Sequence, residues 1–327
     1  MSGRVVSGRV VSDQAGRPRR LEPGGTRVEE ILRAPRVHTG PVPELPEVEA
    51  LTAGLSRRMA GRRIERCRLT SFSALKTVAP PLEDLEGRTV RGVERRGKFV
   101  CIGTDGPWLV AHLALGGWIR WYEALPSTAI KPGRSPIALR VGLDDGAGFD
   151  ITEMGTEKRL ALWVVATPEE VGPLAELGVD PLSPGFTVDR LADLLHATSS
   201  TVKTALTTQS LIAGVGNAYS DEALHRARLS PYKNSGRLDR DEVVRLHDAV
   251  TAVLSEAVER ASGVDLADLK GDKKRAMAVH GRTGQACPTC GDTIREVSFA
   301  TRSLQYCPTC QTGGKPLADR RLSRLLK

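Results

Sequence analysis

Apolar residues first recur with helical spacing at Val48, Leu51, Leu55 and Met59, one face of a 3.6-residue repeat. The spacing predicts a helix from Leu45 to Ala60. Pro46 stands at an early helical position, where its missing N–H costs no hydrogen bond. Glu47 and Glu49 stand in the first turn, where negative charge complements the helix dipole. From about Ile64 to Val165 the pattern shortens to strand-like runs: TVRGVER, KFVCIG, WLVAHLAL, WIRWYE, IALRVGL and LALWVVA. Turn dipeptides such as Asp105-Gly106 and Asp145-Gly146 bound them. So many short strands after one helix predict a β-sandwich. Beyond Pro168 the spacing returns to helical, over 187–197, 199–209, 217–228 and 240–262, after a linker carrying Pro181 and Pro184. A cysteine-bearing hairpin and a basic tail end the chain. The expected class is α+β: a helix plus β-sandwich over 43–167, a helical domain over 185–265, a cysteine hairpin over 280–311 and a tail over 312–327.

Residues 1–42 do not fit this regularity. They hold a short repeat, SGRVVSGRVVS, then an Arg/Pro/Gly-rich stretch without apolar period until VEEILRA. Asp13, Glu22, Glu29 and Glu30 speak against an Arg-rich transit peptide. The segment is expected to be a disordered or non-native extension.

Composition sharpens the class of partner. Hydrophobic residues are 40% of the chain, enough for sizeable cores, and the net charge is +8 with a pI near 9.4. An excess of Lys and Arg favours an anionic partner, because neutralising phosphates releases counterions; alone it also suits ordinary solubility. No run approaches the ~20 apolar residues of a membrane span, and no apolar signal region opens the chain. Six cysteines are present; Cys67 and Cys101 lie in strand-like runs and read as single core thiols.

The other four form two CPTC pairs, Cys287/Cys290 and Cys307/Cys310, with 16 residues between the pairs. This is the spacing of a four-cysteine zinc ribbon. Four thiolates fill a tetrahedral shell, so the one zinc expected here is structural and does not activate water. It would rigidify the hairpin REVSFATRSLQY, with Arg302 near its tip.

Residues 43–49 spell Pro-Glu-Leu-Pro-Glu-Val-Glu. The motif resembles the mature N-terminus of the formamidopyrimidine-DNA glycosylase and endonuclease VIII family. The resemblance implies that Pro43, once N-terminal, attacks C1′ of a damaged nucleotide, expels the base through a Schiff base, and eliminates both flanking phosphates. The chemistry demands a free amine: an N-terminal amine titrates near ~8 and is partly neutral at pH 7, whereas an amide nitrogen has lost its lone pair to the carbonyl. Pro43 inside the 327-residue chain is unreactive. The expectation is that translation starts at residue 42, a valine whose GTG codon can be read as Met, or that the chain is cut before Pro43. Glu44 is expected as acid–base partner, protonating the sugar ring oxygen. Glu47 reads either as a second carboxylate or as a dipole-compensating surface residue.

Further positions match the family in order. Arg95-Arg96-Gly97-Lys98-Phe99 resembles its turn carrying a phosphate-binding lysine that assists the chemistry, here Lys98. Gly214-Val215-Gly216-Asn217-Ala218-Tyr219-Ser220-Asp221-Glu222 resembles its helix–two-turns–helix element. There the glycines would admit a phosphate to the following helix N-terminus, with Asn217 hydrogen-bonding it and Tyr219 alongside. Arg302 occupies the place of the family's phosphate-contacting arginine. The resemblance spans about 43–311.

The chain also departs from the 8-oxoguanine-specific pattern. Where those members carry a wedge methionine, His112-Leu113-Ala114-Leu115 places Leu115. Where they carry Arg-Arg-Phe-Gly, this chain has Lys158, Arg159, Leu160 and Ala161. Lys158 lacks the bidentate fork of arginine, which puts recognition of the opposite base in doubt. Residues 263–279, GVDLADLKGDKKRAMAV, are shorter and more basic than the family's lesion-capping loop. Oxidised pyrimidines, ring-opened purines and abasic sites all remain open as substrates.

The expected function is a base-excision-repair glycosylase with coupled lyase activity, a monomer on double-stranded DNA in the bacterial cytoplasm, at the nucleoid. Two readings compete. One is a non-catalytic zinc-containing DNA-binding protein with a blocked proline; the other is a zinc-ribbon RNA-binding protein, in which Pro43 and Lys98 have no role.

Overall fold

The computed structural model describes residues 42–131, 135–155, 157–299 and 303–318. All of them belong to the compact unit Thr39–Lys327. Helix α1 spans Leu45–Met59, and its apolar stripe Val48, Leu51, Leu55 and Met59 is fully buried. The stripe packs into the core of a two-layer sandwich.

One sheet is built from β1 (Ile64–Leu69), β5 (Gly117–Tyr122), β6 (Ile137–Leu143) and β7 (Gly148–Glu153), in the order β1-β6-β7-β5. The other contains β2 (Val90–Arg96), β3 (Phe99–Thr104), β4 (Trp108–His112) and β8 (Ala161–Val165), in the order β2-β3-β4-β8. All pairings are antiparallel. Strand β3 is buried throughout. Val100 and Ile102 face the sandwich core, while Phe99 and Cys101 pack with Val110, Val165 and Leu174 on the opposite face. Cys101 is thus a core thiol as expected, and Cys67 is half-buried.

Strand β7 is absent from the strands expected. Its run GFDITE hides a charge: Asp150 is fully buried and bound by Arg140 through two hydrogen bonds of 2.7 and 2.8 Å. Removing one partner of such a pair strands a buried charge. Asp150→Ala is therefore expected to lower stability by about 3–5 kcal/mol; urea unfolding with an unchanged midpoint would refute the pair's structural role.

The second core is helical. Following the short α2 (Gly172–Ala175), α3 (Val188–His196), α4 (Val202–Thr207), α5 (Asn217–Arg226) and α6 (Arg240–Ser262) fall within the four predicted ranges. They enclose Leu191, Leu206, Leu224, Leu246 and Val250. Leu45, one residue into α1, belongs to this core rather than to the sandwich, so the start of α1 joins the two layers. An unforeseen helix, α7 (Leu269–Ala276), crosses behind that junction. Its text, LKGDKKRA, is too polar to fold on propensity alone; Leu269 anchors it in the sandwich core. Beyond it come the hairpin β9 (Arg295–Ser298) and β10 (Ser303–Tyr306), then α8 (Pro308–Thr312). Among the described residues no helix is long and apolar enough to cross a membrane.

Candidate active site and zinc centre

The junction between the layers is a buried cluster of charge. Glu44 caps α1 and is 2% exposed. Its carboxylate accepts from the N–H groups of Gly216 at 2.8 Å, Ala218 at 2.9 Å and Tyr219 at 3.3 Å. The N-terminus of α5 therefore holds a protein carboxylate, the anion its unpaired donors favour. The two glycines give this contact its room. A Cβ on Gly216 would stand 2.4 Å from the Glu44 carboxyl carbon, and one on Gly214 would stand 2.8 Å from the Leu45 side chain, with φ at +87°.

Glu47 is 2% exposed, which excludes the surface reading. It accepts from the Glu44 N–H at 2.9 Å, the Tyr219 hydroxyl at 2.5 Å and the Lys273 ammonium at 2.8 Å. Tyr219, at 2% exposure, is thus a wall of this cluster, its phenol pushed far up by burial and by Glu47. Lys273, from α7, is 4% exposed on its side chain and 3.6 Å from Glu44. It also lies 4.7 Å from the Tyr219 ring centroid. Nothing in the local pattern around residue 273 marks it as a site residue. The one signal was the departure of 263–279 from the family's loop.

The charges set one another. Burial by itself would raise the Glu44 pKa, but Lys273, Lys98 and the Ala218 N–H outweigh it and hold the group at about 2. Glu44 is therefore ionised at neutral pH. Lys98 lies in the tight turn between β2 and β3, within electrostatic reach of Glu44, Glu47 and Lys273. Burial, aided by Lys273, lowers its pKa against the pull of the two carboxylates. Lys273 moves the other way: burial depresses it, yet Glu44 and Glu47 raise it above the ordinary lysine value. His112, beside Phe99, is held down to about 4 by burial and by Lys98, and is neutral. Pro43 is buried at the head of the cluster.

Other expected contacts lie at the surface. Leu115 is partly exposed in the turn between β4 and β5. Lys158 and Arg159 are exposed; Lys158 donates to the Glu153 carbonyl at 2.8 Å and Arg159 pairs with Glu157 at 3.0 Å. Leu160 differs. Glu153 accepts from the N–H groups of both Arg159 and Leu160, which folds the chain inward and leaves Leu160 2% exposed in the sandwich core. Asn217 opens α5 and donates to the Ser303 carbonyl at 2.7 Å, tying the helix to the base of the hairpin. Arg302 lies outside the described residues.

Asp221 and Glu222, which close the two-turns motif, join the helices to the zinc region. Asp221 pairs with Lys203 at 2.7 Å and His280 at 2.8 Å. Glu222 accepts from three consecutive N–H groups, Ala278, Val279 and His280.

The Sγ atoms of Cys287, Cys290, Cys307 and Cys310 all lie within 4.8 Å of one another. A tetrahedron with ~2.3 Å zinc–sulfur bonds has edges of about 3.8 Å, so these four residues fit one zinc ion closely. They form the structural zinc centre that the spacing implied. His225 lies 3.2 Å from the Cys287 sulfur, an outer contact of the kind that orients a metal ligand.

Comparison with known proteins agrees with each part. The profile of the formamidopyrimidine-DNA glycosylase N-terminal domain matches residues 42–154, and that of the family's H2TH domain matches 177–268. The zinc finger found in FPG and IleRS matches 284–313. A formamidopyrimidine-DNA glycosylase of Symbiobacterium thermophilum is 37% identical over 269 residues, 79% of this chain and 86% of that protein. An uncharacterised formamidopyrimidine-DNA glycosylase-like protein of Mycobacterium tuberculosis is 56% identical over 151 residues, 46% of this chain and 94% of that one. The crystal structure of MutM (Fpg) from Thermus thermophilus superposes with a TM-score of 0.71 at 33% identity, over 84% of this chain and all of that one. Lactococcus lactis Fpg in complex with DNA containing FAPY-dG superposes with a TM-score of 0.73 at 27% identity, over 82% of this chain and 100% of that one. With its helix-bearing sandwich, H2TH helices and four-cysteine zinc finger in family order, the chain belongs to the formamidopyrimidine-DNA glycosylase family of DNA-repair proteins.

Proposed function

We propose that the protein excises oxidised bases from double-stranded DNA and nicks the resulting abasic site, using the secondary amine of Pro43 as nucleophile. The observation that carries this reading is the buried cluster of Glu44, Glu47, Lys98 and Lys273 at the head of α1, next in sequence to the buried Pro43. A free Pro43 nitrogen attacks C1′ and displaces the base. The proton shed by the amine passes to the Glu44 carboxylate beside it. The nitrogen lone pair then forms the C=N bond as the C1′–O4′ bond breaks, its electron pair staying on O4′, which takes the proton that Glu44 holds; the resulting iminium acidifies the C2′ hydrogen, and successive β- and δ-elimination release the 3′ and 5′ phosphates. Lys98 holds a phosphate beside the site. Leu115 serves as the wedge that fills the vacated stack, at a cost of a few kcal/mol of unstacking, while Lys158 and Arg159 meet the backbone or the opposite strand. Asn217 and Arg302 clamp phosphate, and zinc fixes the finger that carries Arg302. The protein acts as a monomer. The Lactococcus neighbours, bound to DNA with FAPY-dG or an abasic site, support this class of lesion.

The test is product analysis on duplexes bearing an abasic site or an oxidised base. The chain beginning at Pro43 should leave a one-nucleotide gap with phosphate at both ends. Tight binding without incision would favour the non-catalytic DNA-binding reading instead. Asn217→Ala should weaken binding to every lesion alike, since phosphate contacts carry no sequence information. Titration of the variant with duplexes of different lesions checks this; a loss confined to one lesion would count against the assignment.

A further inference from the structure

Met154, directly after β7, is 60% exposed. Its N–H donates to the Gly116 carbonyl at 3.0 Å, which ties it to the turn that carries Leu115. The two segments approach so closely that a Cβ on Gly116 would lie 2.1 Å from the Met154 carbonyl oxygen. A Cβ on Gly117 would lie 2.2 Å from the Leu113 carbonyl oxygen, so the turn itself is equally tight. Ala114, just before Leu115, holds φ at +50°, a left-handed conformation unfavourable for an alanine. Strain of this kind persists only where the surroundings over-determine it, and it gathers at sites that clamp a ligand. What the strained turn and its neighbour present is a pair of apolar side chains.

The pair stands beside the catalytic cluster. His112, three residues before Leu115, packs on Phe99 with ring centroids 4.8 Å apart, within electrostatic reach of Lys98. Trp118, three residues after Leu115, has the Lys270 ammonium 4.6 Å from its ring centroid. Lys270 belongs to α7, the helix that sends Lys273 to Glu44 and Glu47. The turn is thus flanked by two elements that build the cluster. Lys158 and Arg159 are exposed farther along the β7–β8 loop. Apolar side chains set among cations fit a nucleic acid, whose bases stack and whose backbone is anionic.

We propose that Met154 is a second wedge residue, entering the base stack beside Leu115 when the damaged nucleotide is extruded. The proposal rests on the base-excision reading above. Extrusion takes a whole base out of the stack, and one leucine side chain is far smaller than a base. Apolar wedges, methionine among them, enter between base steps and offset the unstacking. Methionine is unbranched and polarisable, which suits an irregular gap. The loop from Glu153 to Leu160 carries two large apolar side chains, Met154 and Leu160, and Leu160 is buried in the core. Met154 is the one this loop can lend to DNA.

Four versions of a chain beginning at Pro43 test this: unsubstituted, Met154→Ala, Met154→Gln and Met154→Leu. That chain retains both cores and the zinc centre, which lie within residues 43–318. Gln keeps the length of methionine but not its apolar character; Leu keeps the apolar character. The first measurement is the fluorescence of 2-aminopurine opposite a tetrahydrofuran site in a duplex saturated with protein. It reads the stack and requires no chemistry. The second is the rate of borohydride trapping on an abasic site, in duplex and in single-stranded DNA, of which only the duplex has a paired stack to fill. Met154→Ala and Met154→Gln should blunt the fluorescence response. They should also lower the duplex-to-single-strand ratio of trapping rates by about tenfold or more, the factor implied by losing a buried methionine side chain. Met154→Leu should restore both. A response and a ratio for Met154→Ala equal to those of the unsubstituted chain would overturn the proposal. So would an equal loss of trapping on duplex and single strand, which would place Met154 in the fold rather than in the stack. Absence of any response from the unsubstituted chain at saturation would overturn it as well. No adduct from the unsubstituted chain would instead overturn the proline-amine reading, while the fluorescence response would still decide the role of Met154.

Discussion

Glu44→Gln should lower base excision by about 10²–10⁴-fold, the range for removing one general acid–base group. Gln keeps an oxygen able to accept from the α5 N–H groups, so the junction of α1 with α5 survives the change. What disappears is the negative charge that accepts the amine's proton and faces Lys98 and Lys273. Affinity for an abasic-analogue duplex should therefore change little. The same substitution should alter acid stability. Because the folded-state pKa of Glu44 is depressed from 4.5 to about 2, the stability it confers is fully present above its unfolded value. That stability is lost as pH falls through about 2. Thermal melts between pH 2 and 6 should show a shallower acid decline for Glu44→Gln than for the unsubstituted protein. Excision at the unsubstituted rate would remove Glu44 from the chemistry.

Zinc removal should abolish tight DNA binding. Structural zinc contributes about 10–16 kcal/mol to the folding of small finger peptides, far beyond what the four packed side chains of this small cluster supply. The hairpin is also the acceptor of Asn217 through Ser303, and a donor to Asp221 through the Gln305 N–H at 3.2 Å. Losing it therefore loosens the N-terminal end of α5 as well as the finger. A single charged hydrogen bond to phosphate contributes about 1.5–3 kcal/mol, so losing even one such contact weakens binding about 10- to 150-fold. Chelation, and separately Cys290→Ser at an exposed ligand, should both produce this loss in a fluorescence anisotropy titration. Unchanged affinity in a protein shown by metal analysis to be zinc-free would contradict it.

Much of this architecture could be read along the chain. The stripe on α1, the Gly-bounded strands and the two CPTC pairs are local patterns, and local patterns survive folding. Three features were not readable for a common reason: their meaning depends on partners far away in sequence. The run GFDITE was not among the expected strands, and the partner that lets Asp150 be buried in β7, Arg140, sits on the neighbouring strand. Lys273 looked like one more charge in a basic loop, because its partners are Glu44 and Glu47, more than 220 residues upstream. Gly214 and Gly216 looked like openings for phosphate. Their neighbours in the fold are Leu45 and Glu44, held there by the hydrogen bonds of Glu44 to the start of α5. Leu160 illustrates the reverse case. Its motif position suggested DNA contact, while its apolar side chain and the pull of Glu153 on two N–H groups carry it into the core.

The central claim is that the Pro43 nitrogen is the nucleophile, and mapping a borohydride-trapped adduct tests it most directly. An abasic-site duplex is incubated with a chain beginning at Pro43 and, in parallel, with the full 327-residue chain, and any adduct is located by peptide mass. Adduct on Pro43 from the first chain, with none from the second, is the expected result. Adduct of equal yield from the full-length chain, on a lysine rather than on Pro43, would contradict it.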